Sequence, residues 1–259
     1  MFLGLLESLM AGEALSREQA QNLMRGFLDE SVPTEQKAAA LGALAARRVT
    51  GEELVGLVEV MRELSVPIQL PGEVLDTCGT GGGPPTLNMS TGQAFVVAAC
   101  GVPVAKHGNR AVTSRCGSAD VLEALGCQLV CEPSELVRVF SQAGVVFLFA
   151  PTLHPAMKVM RELRQALKVR TIFNWLGPLS NPARAQVQVI GVWRRDMMQP
   201  MAEAAHALGT RRFAIVHAEC GLDEVSPNAP TQVWRSESAT SELVTPDDFG
   251  LRSEVNLAA

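Results

Sequence analysis

The chain has 259 residues, of which 47% are hydrophobic and 19% charged, with a net charge of −5. That composition supplies a substantial core and argues against a disordered chain, while the acidic balance leaves no cationic footprint for nucleic acid or an anionic membrane. Six scattered cysteines (Cys78, Cys100, Cys116, Cys127, Cys131, Cys220) without a Cys-x-x-Cys pair, and an apolar start that carries Glu7 and no basic residue, exclude a disulfide framework and a signal peptide, so a cytoplasmic protein is expected.

To about residue 65 the pattern is helical. Leu5, Leu6 and Leu9 repeat at helical spacing, Ser16 with Gln19 forms a capping box, Thr34 opens an alanine-rich helix, and Thr50 with Glu53 caps another. Pro67 and Pro71 mark a change of pattern. Val74-Leu75-Asp76 reads as a short strand, Thr91 to Ala99 as a helix, and Val102 to Ala105 as a strand ending at Lys106. Ser118 to Leu125 is a helix, Gln128-Leu129-Val130 a strand, Ser134 to Ala143 a helix, and Val145 to Phe149 a strand. Residues 155–167 are helical, and Leu176 to Pro182 reads as a rigid loop. Val187 to Val192 and Phe213 to Val216 are strands on either side of a helix from Met197 to Leu208. The alternation predicts an α/β fold with a mostly parallel sheet covered on both faces, preceded by a small helical domain. In such sheets ligands sit at the carboxyl ends of strands.

Three stretches fall at those ends. Asp76-Thr77-Cys78-Gly79-Thr80-Gly81-Gly82-Gly83 is a glycine-rich turn followed by Asn88, Ser90 and Thr91 at a helix start, where backbone amides and hydroxyls can meet an anion. It is neither a Rossmann nor a Walker loop, and a tight turn with an ordinary N-cap is the competing reading. Lys106-His107-Gly108-Asn109-Arg110 brings cations suited to phosphate, against the alternative of solvated surface charge. Asp223-Glu224 is either a Mg²⁺-binding carboxylate pair or an exposed acidic turn. His154 and Arg164 could face an acidic aromatic substrate, although His154 reads equally as a structural histidine.

These residues resemble the anthranilate phosphoribosyltransferase family. The resemblance runs to about residue 251 and includes Gly79 to Gly82, Asn88 to Thr91, Lys106 to Arg110, Gly117 to Asp120, His154-Pro155, Arg170 to Asn174, Leu176 to Pro178 and Asp223 to Ser226. It implies a helical domain of residues 1–66, joined by the 155–182 insertion, and an α/β domain of residues 67–154 and 183–259. It also implies a homodimer formed through the helical domain. The implied reaction is attack of the anthranilate amine on the ribose of phosphoribosyl diphosphate (PRPP), with Mg²⁺ present and diphosphate leaving.

By the same resemblance, the PRPP set begins with Gly79, Thr80, Gly82, Gly83, Thr86, Asn88, Ser90 and Thr91. It continues with Lys106, His107, Gly108, Asn109 and Ser118. Gly79, Asn109, His154, Arg164, Gly177 and Pro178 would line the anthranilate path, and Ser90, Asp223 and Glu224 would hold the metal. Two features depart from the family pattern. Gly83 stands where the family carries aspartate, and the chain stops at Ala259, where family members continue, so a C-terminally truncated chain is expected. A same-fold transferase for another aromatic amine or a nucleobase, and a non-catalytic homologue, are the alternatives.

Overall fold

The computed structural model describes residues 1–81, 83, 87–111 and 116–251. Four helices come first: α1 (Phe2–Met10), α2 (Arg17–Leu28), α3 (Thr34–Ala46) and α4 (Gly51–Glu63). Both capping boxes form, Ser16 with Gln19 at α2 and Thr50 with Glu53 at α4, so each helix begins where its sequence satisfies the free amides of its first turn. The apolar stripe of α1, Phe2, Leu5, Leu6 and Leu9, is buried.

The remainder alternates. In chain order it comprises β1 (Leu75–Gly79), α5 (Met89–Ala99), β2 (Val104–Gly108), α6 (Ser118–Ala124), α7 (Pro133–Ala143), β3 (Val145–Phe149) and α8 (Ala150–Leu153). Then come α9 (Arg161–Leu167), α10 (Phe173–Leu179), β4 (Val187–Gly191), α11 (Met198–Ala207), β5 (Arg212–Ala218), β6 (Thr231–Arg235) and β7 (Glu242–Val244). The described strands make one seven-stranded sheet in the order β3-β2-β1-β4-β5-β6-β7. β3 to β5 are parallel, and β6 and β7 add an antiparallel edge. The chain builds outward from β1 through β2 to β3, then returns to place β4 on the other side of β1. The carboxyl ends of β1 and β4 therefore flank the topological switch point, where a parallel sheet opens a crevice.

The bundle does not stand apart from the sheet. One continuous core joins Leu9, Phe27, Leu41 and Leu57 to Met160, Phe173 and Leu176, and onward to Ile190, Met201 and Ile215. Farther along the same face, Leu136 and Phe140 of α7 pack on Ala105, Val146 and Leu148, while α5 covers the opposite face with Ala94 against Leu75 and Val104.

Several elements differ from the sequence reading. β2 starts at Val104 rather than Val102 and does not end at Lys106 but runs on through His107 and Gly108, in register with Leu148 and Phe149, because the apolar β3 offers a full-length partner. Gln128 to Val130 forms no strand. Leu129 instead drops into a small cluster with Ala119, Leu122 and Phe149. The helical stretch 155–167 divides into a 3₁₀ turn, Pro155–Met160, and α9. The expected loop from Leu176 is helical as far as Leu179, with Pro178 inside α10, because burial of Phe173, Trp175, Leu176 and Leu179 outweighs the missing amide of the proline.

Candidate active site

Lys106 and His107 are consecutive in β2 and leave the strand on opposite faces. Lys106 is 3% exposed. Its ammonium donates to the Ser90 hydroxyl at 3.1 Å and to the Thr77 carbonyl. Burial lowers its pKa, and the nearby carboxylates of Asp76 and Glu224 oppose that shift. On the other face the His107 ring lies 3.2 Å from the Gly177 carbonyl through Nδ1 and packs on His154, ring centroids 5.1 Å apart. Burial, helped by His154, pushes His107 down to about 3, and burial takes His154 down to about 4, so both rings are neutral at ordinary pH. β2 thus presents a cation to one side and to the other an uncharged imidazole packed on that of His154.

Asp76, one residue after Leu75, which pairs with Val104, points to the same face as His107. It is fully buried and accepts the His107 amide at 3.1 Å and the Asn181 side-chain amide at 2.9 Å. Burial raises its pKa to about 6, with Lys106 holding it back. Burial also raises the Cys78 thiol well above its ordinary value, which leaves a protonated sulfur and no nucleophile at this strand end.

The glycine turn follows β1. Thr80 is buried and donates through its amide and hydroxyl to the Gly191 carbonyl, at 2.9 and 3.2 Å. Asn174 of α10 reaches the Thr80 carbonyl at 3.4 Å. Beside it Trp175 stacks on Trp193, centroids 5.5 Å apart, and the Arg170 guanidinium covers the outer face of Trp193 at 4.7 Å. Beyond the turn, the Asn88 carbonyl accepts the Thr91 and Gly92 amides of α5, and the Thr91 hydroxyl is buried with no hydrogen-bond partner among the described residues. A buried hydroxyl without a partner at a helix N-terminus is a place prepared for a ligand oxygen. Gly82 and Thr86 lie outside the described residues.

Asp223 and Glu224 come from the turn after β5, folded back by the Ala218 amide on the Leu222 carbonyl and the Gly221 amide on the Ala218 carbonyl. Asp223 Oδ2 accepts the Gly81 amide at 2.9 Å, which brings the carboxylate pair onto the glycine turn. Gly83 packs against the same segment: a Cβ there would lie 2.7 Å from the Gly221 carbonyl oxygen. Burial first, and repulsion from Asp223 second, push Glu224 up to about 7, against the pull of Lys106 and of the Ser90 amide. Two oxygen-donor groups forced together against their own charge suit a small hard cation. Among the described residues no group of three or more His, Cys, Asp or Glu side chains gathers, so other oxygens of such an ion's shell would come from a ligand or water.

The structure also brings Gly108, Asn109 and Ser118 together. The Asn109 carbonyl accepts the Ala119 amide and the Ser118 hydroxyl, and a Cβ at Gly108 would meet the Ser118 Oγ at 2.3 Å. On the His107 side, the Gly177 and Pro178 carbonyls end α10, and Pro178 accepts from Gln188 at 2.8 Å. Arg164 lies 5.0 Å over the Phe173 ring, with its pKa lowered by burial, and pairs with no carboxylate among the described residues. Sequence reasoning missed Asp76, Asn181, Gln188 and Asn174. The only available signal for Asp76 was a carboxylate inside an apolar strand, which demands partners elsewhere in the chain.

A helical bundle leading into a parallel sheet, with a glycine turn, a buried ammonium and a carboxylate pair at its switch point, defines the class of enzyme. Residues 3–65 match the glycosyl transferase family helical bundle domain, and residues 71–258 match the family's a/b domain. The anthranilate phosphoribosyltransferase of Synechocystis is 45% identical over 252 residues, 95% of this chain and 72% of that protein. That of Syntrophomonas wolfei is 44% identical over 97% of this chain and 75% of that protein. The crystal structure of the Thermus thermophilus enzyme superposes with a TM-score of 0.88 at 40% identity, covering 96% of this chain and 75% of that one. The Saccharomyces cerevisiae enzyme in complex with PRPP and Mg gives a TM-score of 0.88 at 27% identity, over 98% of this chain and 75% of that one. The chain belongs to the anthranilate phosphoribosyltransferase family.

Proposed function

We infer that this chain transfers the phosphoribosyl group of PRPP to the amine of anthranilate, releasing diphosphate. The observation that carries the reading is the buried ammonium of Lys106, held on the Ser90 hydroxyl beside Glu224 at the sheet's switch point. A desolvated cation at the start of a helix is suited to a leaving diphosphate. In this reading PRPP meets Gly79, Thr80, Gly82, Gly83, Thr86 and Asn88 along the turn. It then meets Ser90 and Thr91 at α5, Lys106 to Gly108 on β2, Asn109 just beyond it, and Ser118. Anthranilate approaches past Gly79, Asn109, His154, Arg164, Gly177 and Pro178.

The carboxylate pair with Ser90 would hold Mg²⁺, which when bound neutralises diphosphate charge. The residues of the chain do the rest. Lys106 stabilises negative charge as it develops on the leaving oxygens. Arg164, without an acidic partner among the described residues, would take a carboxylate. The neutral His107 and His154 leave the attacking amine unprotonated, and no side chain need form a covalent bond.

The setting belongs to the same reading. Residues 1–66 with 155–182 act as the helical unit, and residues 67–154 with 183–259 as the α/β unit. Two chains pair through the helical unit, whose α1 exposes Leu3 and Met10. The protein works in the cytoplasm, consistent with six free cysteines and with no described helix being long and apolar enough to cross a membrane. The test is the loss of anthranilate fluorescence on adding PRPP and Mg²⁺ to the purified chain. No loss at any magnesium concentration would reject the reading.

A further inference from the structure

At the switch point two glycines lie side by side. Gly79 of β1 and Gly191 of β4 are register partners in parallel strands, so both Cα atoms present the same face of the sheet. Asp223 occupies that face. A Cβ on Gly191 would stand 1.6 Å from the Asp223 carbonyl oxygen and 2.6 Å from its carbonyl carbon. A Cβ on Gly79 would stand 2.6 Å from Asp223 Oδ2. The first contact is with backbone, which cannot swing aside as a side-chain tip can.

Gly191 is not needed for its conformational freedom. It has ordinary strand geometry and is absent from the glycines with positive φ. What the position requires is space. Its carbonyl meanwhile receives both the amide and the hydroxyl of Thr80, so one residue meets the glycine turn through its oxygen and the carboxylate loop through its bare Cα.

We propose that Gly191 is a positioning residue for the metal-binding carboxylates, a seat that sets how far Asp223 and Glu224 lie from Ser90 and Lys106. The proposal rests on the reading of Asp223 and Glu224 as the magnesium-holding pair. A methyl group at position 191 lifts the Asp223 backbone off the sheet and carries Glu224 with it. The His107, His154 and Arg164 side is untouched. The defect therefore belongs to metal and diphosphate, and the acceptor is spared.

The experiment compares Gly191→Ala with the parent, using Mn²⁺ as the probe. Free Mn²⁺ is measured by electron paramagnetic resonance in the presence of PRPP, alongside KM for each substrate and circular dichroism to confirm folding. Loss of an outer contact to metal ligands weakens metal binding about 10- to 100-fold. A loss of that size in a folded variant, a raised KM for PRPP, an anthranilate KM within about twofold of the parent, and recovery of turnover at high metal are expected. A folded Gly191→Ala with the parent's Mn²⁺ affinity overturns the proposal.

If Gly191→Ala does not fold, Gly79→Ala, which presses only on the Asp223 carboxylate, decides. Because Gly79 also belongs to the PRPP set, this variant is read without PRPP: weaker Mn²⁺ binding supports the seat, and unchanged binding overturns it. The double variant Asp223→Asn/Glu224→Gln separates the two layers. Parental Mn²⁺ affinity in the double variant refutes the carboxylate reading and the seat with it. Loss in the double variant but not in Gly191→Ala refutes the seat alone.

Discussion

Two carboxylates, one buried in the helical bundle and one half-buried at the strand ends, have opposite fates. Glu53 at the start of α4 accepts the Leu15 amide at 2.8 Å, the Thr50 amide at 2.9 Å, and the Arg47 guanidinium. Burial pushes its pKa up, but these hydrogen bonds outweigh burial and leave it below the usual carboxylate value. Glu224 is pushed up to about 7 by burial and by its neighbour Asp223, with only partial relief from Lys106 and the Ser90 amide. The bundle satisfies its buried charge from within the chain. The strand ends leave theirs short of partners, together with the Thr91 hydroxyl and His107 Nε2. Buried polar groups held by the fold stabilise it, whereas those held away from partners are available to a ligand.

The largest effect that would break this comparison comes from the bundle. Removing one partner of a buried, hydrogen-bonded ion pair costs about 3–5 kcal/mol, so Glu53→Ala should lower the thermal midpoint strongly. PRPP affinity of the molecules that remain folded should be unchanged. A loss of PRPP binding in folded Glu53→Ala would mean that the bundle's charges are not separate from the site.

Lys106→Met is the converse. Charge-assisted contacts are worth about 1.5–3 kcal/mol, so PRPP affinity measured by calorimetry should fall about 10- to 100-fold. Stability should change less than in Glu53→Ala, since Asp76, already raised to about 6, can take up a proton when its cation is removed. Equal PRPP affinity in variant and parent would refute the assignment of Lys106.

The histidine pair gives a pH signature. Both folded pKa values, about 3 for His107 and about 4 for His154, lie below the ordinary 6.5, so the unfolded chain binds the protons more readily. Their contribution to stability is complete above pH 6.5 and is lost as pH falls from there toward 4 and 3. Urea unfolding at pH 7 and pH 5 should differ by up to about 2 kcal/mol for each histidine. His154→Gln should remove its share of that slope, and an unchanged slope would contradict the buried, neutral ring.

The smallest effect concerns Arg164. Arg164→Ala removes a cation that has no acidic partner to strand among the described residues. Stability should therefore move by less than about 1 kcal/mol, while KM for anthranilate rises about tenfold and KM for PRPP holds. A rise in KM for PRPP instead would move Arg164 to the phosphate side.

Much of this was legible in the sequence because it is local. The capping boxes at Ser16 and Thr50, the glycine turn, and the apolar run Val145 to Phe149 each carry their reason within a few residues. What was not legible depends on partners far away in the chain. The length of β2 is set by β3, some 40 residues on, and the buried state of Asp76 depends on Asn181, 105 residues away. Gly191 offered no signal at all: a lone glycine ending a strand is unremarkable until the turn after β5 folds back onto it.

The stacked indoles have an optical consequence. The chain has three tryptophans and no tyrosine, so near-ultraviolet emission comes from indole alone. Two of the three, Trp175 and Trp193, share excitation across 5.5 Å, one next to Asn174, which holds the glycine turn, and the other two residues beyond Gly191. The third, Trp234, lies on the antiparallel edge. The site thus carries its own built-in fluorophore. Rearrangement of the turn on binding diphosphate should appear as a change in emission without any attached dye, and Trp234→Phe should leave that change in place.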